Sequence, residues 1–180
     1  MHRIEAYVRL AIIFIIIISI VYLPILFEVK KKGKTVIRQM RYLGLICSIF
    51  LIIFATCLFM PINFHSEAHI INLKPFNWIG NTDSFDKFVV EKIPNIMLFI
   101  PLGFFIPTVF KNMRKFWKTS LVAFCITFSI EFFQYFAGRS SDIDDIIMNL
   151  FGAIIGYALF GLFNRCFVRT KWWNRFLCNE

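Results

Sequence analysis

Apolar residues in this chain are gathered into five long runs, at about 7–27, 42–62, 93–110, 116–138 and 146–168, separated by short polar segments. At about 1.5 Å per helical residue, each run is close to or above the length needed to cross roughly 30 Å of hydrocarbon. The pattern predicts an all-α fold, a polytopic membrane helix bundle of about five transmembrane helices, forming a single membrane domain over residues 1–180. The third run carries Pro94, Pro101 and Pro107 with Gly103, which predicts a kinked or partly broken helix packed inside the bundle, where neighbours satisfy the carbonyls that proline frees.

The polar positions that interrupt this pattern are concentrated between the last two runs. Glu131, Gln134, Arg139, Asp142, Asp144, Asp145 and Asn149 all fall around one hairpin, and ionisable groups at a bilayer boundary are costly and usually functional. Helical spacing puts Glu131 and Gln134 on one face of the fourth span, about 10 Å from its mouth for the glutamate. In the fifth span Asn149, Gly152 and Gly156 form one stripe, and Gly152 with Gly156 is a G-x-x-x-G pair suited to helix packing. The expected arrangement sets the fourth span against that stripe, with Glu131 and Gln134 reaching Asn149, Arg139 near Asp142 and Asp145, and Asn95 of the third span at the same end. A purely structural reading of the same residues stays open: Asp142 or Asp145 caps the fifth helix, Arg139 pairs with one of them, and Asn149 satisfies Glu131 or a proline-freed carbonyl.

Charge then orients the bundle. Fourteen of the 20 Lys and Arg residues lie in the first loop (Lys30, Lys31, Lys32, Lys34, Arg38, Arg41), the third loop (Lys111, Arg114, Lys115, Lys118) and the tail (Arg165, Arg169, Lys171, Arg175). By the positive-inside rule these face the cytoplasm, which puts the N-terminus outside, the C-terminus in the cytoplasm and the polar hairpin at the outer surface of the cell membrane. The net charge of +9 is thus a topology signal and not a nucleic-acid footprint, and with 58% hydrophobic residues and 24 Phe the chain is excluded from the ordinary soluble domains. The first run ends in Leu26 and Phe27 with its basic cluster after it, so it reads as a retained anchor and not a cleaved signal. The long connection 63–92 mixes Asn72, Leu73, Pro75, Phe76 and Trp78, a composition suited to the outer interface.

Other signals are weak. His65, Glu67 and His69 spell H-x-E-x-H, but no third ligand is placed by sequence, so no metal is expected there. Asp142, Asp144 and Asp145 are weak candidates for a divalent cation. Ser129 is expected to bond its own helix backbone. Trp172 and Trp173 read as an interfacial anchor, and the five cysteines, without a C-x-x-C pair, as unpaired thiols.

Two blocks carry a resemblance. N-I-M-L-F-I-P-L-G at 95–103 is similar to an N-x-x-x-F-x-P-L-G pattern, and Ser129, Glu131 and Gln134, followed by Arg139, Asp142, Asp145, Asn149, Gly152 and Gly156, fit a second signature without a gap; Asn72, Leu73, Pro75 and Phe76 add a weaker match. Over about residues 45–163 the chain resembles the VanZ-like membrane proteins. That resemblance implies a multi-pass protein of the bacterial cell envelope, associated in some members with low-level teicoplanin resistance, and it supplies no mechanism. The leading expectation is an envelope factor that lowers susceptibility to teicoplanin-type glycopeptides through an outward-facing polar pocket, with Asn95, Glu131, Gln134, Arg139, Asp142, Asp145 and Asn149 as binding residues. The expected partner is a membrane lipid or lipid-linked cell-wall precursor, or a lipoglycopeptide itself. The alternative is a membrane enzyme acting on such a precursor, with Glu131 as general acid or base and the aspartates around Mg²⁺. No cofactor is implied, and whether the protein is an enzyme stays open. Solute transport is weaker still, because five spans do not divide into two inverted halves.

Overall fold

The computed structural model describes residues 22, 36–58, 71–76, 79 and 84–177. Helix α1 (Val36–Ile53) continues through a π-helical turn at Phe54–Leu58. After a two-residue strand β1 (Ile71–Asn72) and one helical turn at Ser84–Lys87, a second π-helical turn, Phe88–Lys92, leads into α2 (Ile93–Val109). A 3-10 turn at Lys111–Met113 precedes α3 (Phe116–Phe136). Strand β2 (Ser141–Asp142) runs parallel to β1, with Ile71 opposite Ser141 and Asn72 opposite Asp142, and passes directly into α4 (Ile143–Phe167) and the short α5 (Lys171–Leu177).

Four helical stretches, Gln39–Thr56, Phe88–Val109, Phe116–Phe136 and Ile143–Phe167, are long and apolar enough to cross a membrane. The fold is the expected all-α bundle, and the second to fifth apolar runs each supply one of these helices. Of the first run only Tyr22 is among the described residues; the rest lies outside them, as do His65, Glu67, His69 and Trp78.

Helix α2 forms the centre, packed between α1 and α4. Its Phe99, Leu102, Ile106 and Val109 are buried with Leu45 and Ile52 of α1, Ala123 and Ile130 of α3 and Ala153 of α4. The predicted break in this helix does not occur: Pro101 and Pro107 lie inside one continuous helix. Packing on both flanks outweighs the hydrogen bond that each proline removes.

Three glycines let α2 and α4 touch backbone to backbone. A methyl group on Gly152 would fall on the carbonyl oxygen of Ile96, one on Gly156 on that of Ile100, and one on Gly103 on that of Ala153. The G-x-x-x-G stripe therefore faces the third span, and the expected seating of the fourth span against it is corrected. Helix α3 has no glycine with which to approach, since its only small core positions are single residues such as Ala123 and Thr127 among larger ones.

At the end of the bundle away from the hairpin, two arginines satisfy carbonyls that helix geometry leaves without partners. Buried Arg41 donates through Nη1 to the Thr108 and Leu177 carbonyls at 2.9 and 3.1 Å. Arg114 donates to the Pro107 carbonyl and to the same Leu177 carbonyl, both at 3.2 Å. The reading of the Trp172 and Trp173 pair as an interfacial anchor is corrected for the second: α5 folds back so that Trp173 is buried against Phe160 and Leu177, with its indole N–H donated to Asn164 Oδ1 at 3.0 Å. Trp172 stays exposed.

The glycine contact has a direct test. Gly152→Ala should destabilise the purified protein by about 1–3 kcal/mol, lowering its thermal midpoint in detergent by several degrees, because a backbone carbonyl must move. Gly161→Ala, where an added methyl meets nothing within 4 Å, should leave the midpoint unchanged.

Candidate functional site

The polar end of the bundle is organised by the start of α4. Asp142 has extended backbone angles (φ −124°, ψ 124°) and caps the helix by accepting from the Asp144 N–H at 3.0 Å, so the helix begins at Ile143 and not at 146. Asp144 and Asp145 then fall in its first turn, where a carboxylate suits the helix dipole. Gly138, with φ 75°, makes the reversal between α3 and this cap possible.

Each of the three aspartates holds a different segment. Asp142 Oδ1 also accepts from Asn72 Nδ2 at 3.2 Å, which fastens β1 beside β2. Asp144 is buried and accepts the Phe76 N–H at 2.7 Å, at the one non-glycine position among the described residues with positive φ (59°). Asp142 Oδ2 and Asp145 Oδ1 share the ammonium of Lys92, at 3.2 and 2.9 Å. Lys92 is only 3% exposed, so it is a charge kept inside the protein by two carboxylates.

Helix α3 supplies a second line of polar groups. Glu131, buried, accepts through Oε2 from Ser141 Oγ at 3.1 Å and from the Asp142 N–H at 3.0 Å, so it ties the fourth span to the hairpin strand. Gln134 Nε2 and Arg139 Nη1 donate to the same acceptor, the Thr56 carbonyl, at 3.1 and 2.7 Å. That carbonyl lies in the π-helical turn after α1, whose wider winding alters the helix's regular hydrogen bonding. Asn149, 2% exposed, donates to Thr127 Oγ1 at 2.9 Å, while its own Oδ1 is buried without a partner among the described residues.

Two expected contacts are thereby corrected. Glu131 and Gln134 do not reach Asn149, because α3 meets α4 through Thr127, one turn deeper. Arg139 pairs with neither Asp142 nor Asp145; Lys92 takes both, since α2 is the helix that α4 approaches most closely, while the end of α3 turns towards α1. Among the described residues no three His, Cys, Asp or Glu side chains converge to hold a metal ion. Asp144 is turned to the Phe76 N–H, and the Lys92 ammonium sits between the other two aspartates, where the cation of the Mg²⁺ alternative would have to lie.

These groups border a cavity of about 720 Å³. Asn95, Glu131, Gln134, Arg139, Asp142, Asp145 and Asn149 all line it, together with Lys92 and Thr56. Asp144 does not line it. Lys92, Thr56 and Thr127 were not among the residues singled out from sequence. Thr127 was findable, standing at i, i+4 and i+7 with Glu131 and Gln134, and Lys92 was findable as the residue one turn before Asn95 on the same helical face. The role of Thr56 rests on its backbone carbonyl, which no side-chain pattern signals. Ser129 Oγ bonds the Cys125 carbonyl of its own helix at 2.7 Å, as expected of a serine in an apolar helix.

Comparison with known proteins gives a consistent picture. A family model described as VanZ/LLP1 matches residues 42–164. Protein VanZ of Enterococcus faecium is 31% identical over 136 residues, covering 74% of this chain and 78% of that protein. No solved structure matches the chain.

Replacing Lys92 by Met leaves Asp142 and Asp145 facing each other without a cation. The expected loss lies near the lower end of the about 3–5 kcal/mol seen when a buried pair is broken, because both aspartates keep some contact with solvent. Thermal unfolding in detergent should show it, and adding Asp142→Asn with Asp145→Asn to Lys92→Met should restore more than half of the lost stability. Additive losses in the triple variant would contradict the ion-pair account.

Proposed function

This chain belongs to the VanZ/LLP1 family, and from that premise we propose that it is a cell-envelope factor that lowers susceptibility to teicoplanin-type glycopeptides. In this reading the polar cavity opens outward and engages the phosphate-bearing head of a membrane lipid or lipid-linked cell-wall precursor, changing how the antibiotic's acyl tail or its target is presented at the outer leaflet.

One observation carries the reading. Of the two cations that line the cavity among the described residues, Lys92 is matched by two carboxylates, whereas Arg139 has the neutral Thr56 carbonyl as its partner and no carboxylate within 4.0 Å. A half-buried guanidinium held in place but not neutralised suits a phosphate, which its planar fork can bind through two hydrogen bonds. The buried Asn149 Oδ1 offers an acceptor to a hydroxyl or amide on the same ligand. The distribution of Lys and Arg supports an outer position for the hairpin, with the N-terminus outside and the C-terminus in the cytoplasm.

Two measurements test this. With the native cysteines replaced, Ser140→Cys should react with a membrane-impermeant maleimide in intact cells, since Ser140 is exposed at the cavity rim; protection until the cells are opened would place the hairpin on the inner side. In a sensitive Gram-positive host, the protein should raise the inhibitory concentration of teicoplanin and leave that of vancomycin unchanged. Arg139→Gln at matched expression should lose that protection, and an Arg139→Gln strain as protected as the parent would remove Arg139 from the function.

A further inference from the structure

A second cavity lies beside the polar one, and its chemistry is the opposite. It is a groove of about 450 Å³, lined by Phe124, Phe128, Phe132 and Phe136 of α3 together with Leu73 and Ile146. The four phenylalanines repeat at every fourth residue, so they form one ladder along the helix, with stacked or tilted rings at 6.0 Å for Phe124 and Phe128 and 4.7 Å for Phe132 and Phe136. From 124 to 136 the ladder rises about 18 Å, close to the roughly 15 Å depth of one leaflet's hydrocarbon.

Among the described residues a single carboxyl group interrupts this apolar wall. Glu131 lines both the groove and the polar cavity, and among the described residues it is the one common to the two. The groove therefore runs alongside the chamber that holds Arg139 and the unpartnered Asn149 Oδ1, with the Glu131 side chain and the Ser141 hydroxyl bonded to it at the boundary. An apolar trough one leaflet deep beside a polar chamber with an unneutralised cation has the layout of an amphiphile. We infer that the groove seats one hydrocarbon chain of a phosphate-headed membrane lipid whose head group lies in the polar cavity against Arg139. The inference rests on the head-group reading of the cavity given above, and not on its link to antibiotics. Arg139 is the group that favours an anionic head, since a zwitterionic head brings its own cation, which the guanidinium repels; of the four carboxyl groups on the same lining, Asp142 and Asp145 are engaged by Lys92 and Glu131 by Ser141 and the Asp142 N–H, and Glu91 is the fourth.

The test uses the full chain in vesicles of phosphatidylcholine containing a small fraction of phosphatidylglycerol with a diazirine at mid-chain. Photolabelling should concentrate on the α3 peptide carrying Phe128 and Phe132 over the outward face of α4 at Leu159, Leu162 and Phe163, which reports lipid that merely surrounds the protein. Arg139→Gln should reduce labelling of the α3 peptide about tenfold, the scale of a lost charge-assisted hydrogen bond, while labelling of the α4 face stays constant. Ile146→Trp, which fills the groove and leaves every polar group in place, should reduce it as well, so the outcome does not depend on whether the arginine variant folds. Diazirine phosphatidylcholine should label both faces alike, and excess inorganic phosphate should fail to compete, which separates a lipid from a free anion. Equal labelling of both faces by phosphatidylglycerol, or labelling insensitive to both variants, would overturn the inference even if Arg139→Gln abolishes teicoplanin protection. Groove-selective labelling without any teicoplanin protection would uphold the lipid site and remove the resistance reading alone.

Discussion

The close approach of α2 and α4 is the constraint on which the rest of this structure depends. Inside a bilayer the lipid tails are as apolar as leucine, so helices gain little by burying apolar surface against one another; what holds them is van der Waals contact and hydrogen bonding. Gly103, Gly152 and Gly156 allow that contact to be made between the backbones themselves. Once the two helices are seated this closely, the residues just above the contact, Lys92 and Asn95 on α2 and Asp142, Asp145 and Asn149 at the start of α4, are brought to one chamber. The polar end of the molecule is thus a consequence of packing lower down.

Within that chamber the charges divide into two kinds. Lys92, Asp142 and Asp145 form a closed set in which each carboxylate has the ammonium within hydrogen-bonding distance and the ammonium is out of water. Such a set contributes little net stability, since the cost of desolvating the ions offsets most of their attraction, but it specifies which ends must meet. Arg139 is the open member: its contact with the Thr56 carbonyl orients the guanidinium and, among the described residues, no carboxylate matches its charge. Glu131 stands between these and the apolar groove, fastened to the hairpin by Ser141 and the Asp142 N–H, so that one carboxyl group belongs to both environments. At the opposite end of the bundle Arg41 and Arg114 converge on the Leu177 carbonyl; there the guanidinium groups complete helix ends inside the protein.

The sequence by itself determined the fold class and the location of the polar end, because both follow from local patterns: apolar runs of membrane length, and seven polar residues confined to one hairpin. It also determined that Asn149, Gly152 and Gly156 share a face, since that is helical arithmetic. Pairing was decided only by the tertiary structure. Which helix lies on the glycine stripe depends on which neighbour can bring its own backbone close, and that selected α2 with Gly103 over the α3 next to it in sequence. The choice in turn gave Asp142 and Asp145 to Lys92, a residue 50 positions from Asp142, and left Arg139, three residues away, to a carbonyl of α1. Periodicity reports which residues share a face of one helix; it carries no information about which face of another helix they meet, and here that meeting is what separates a cation held by two carboxylates from one held by a backbone carbonyl.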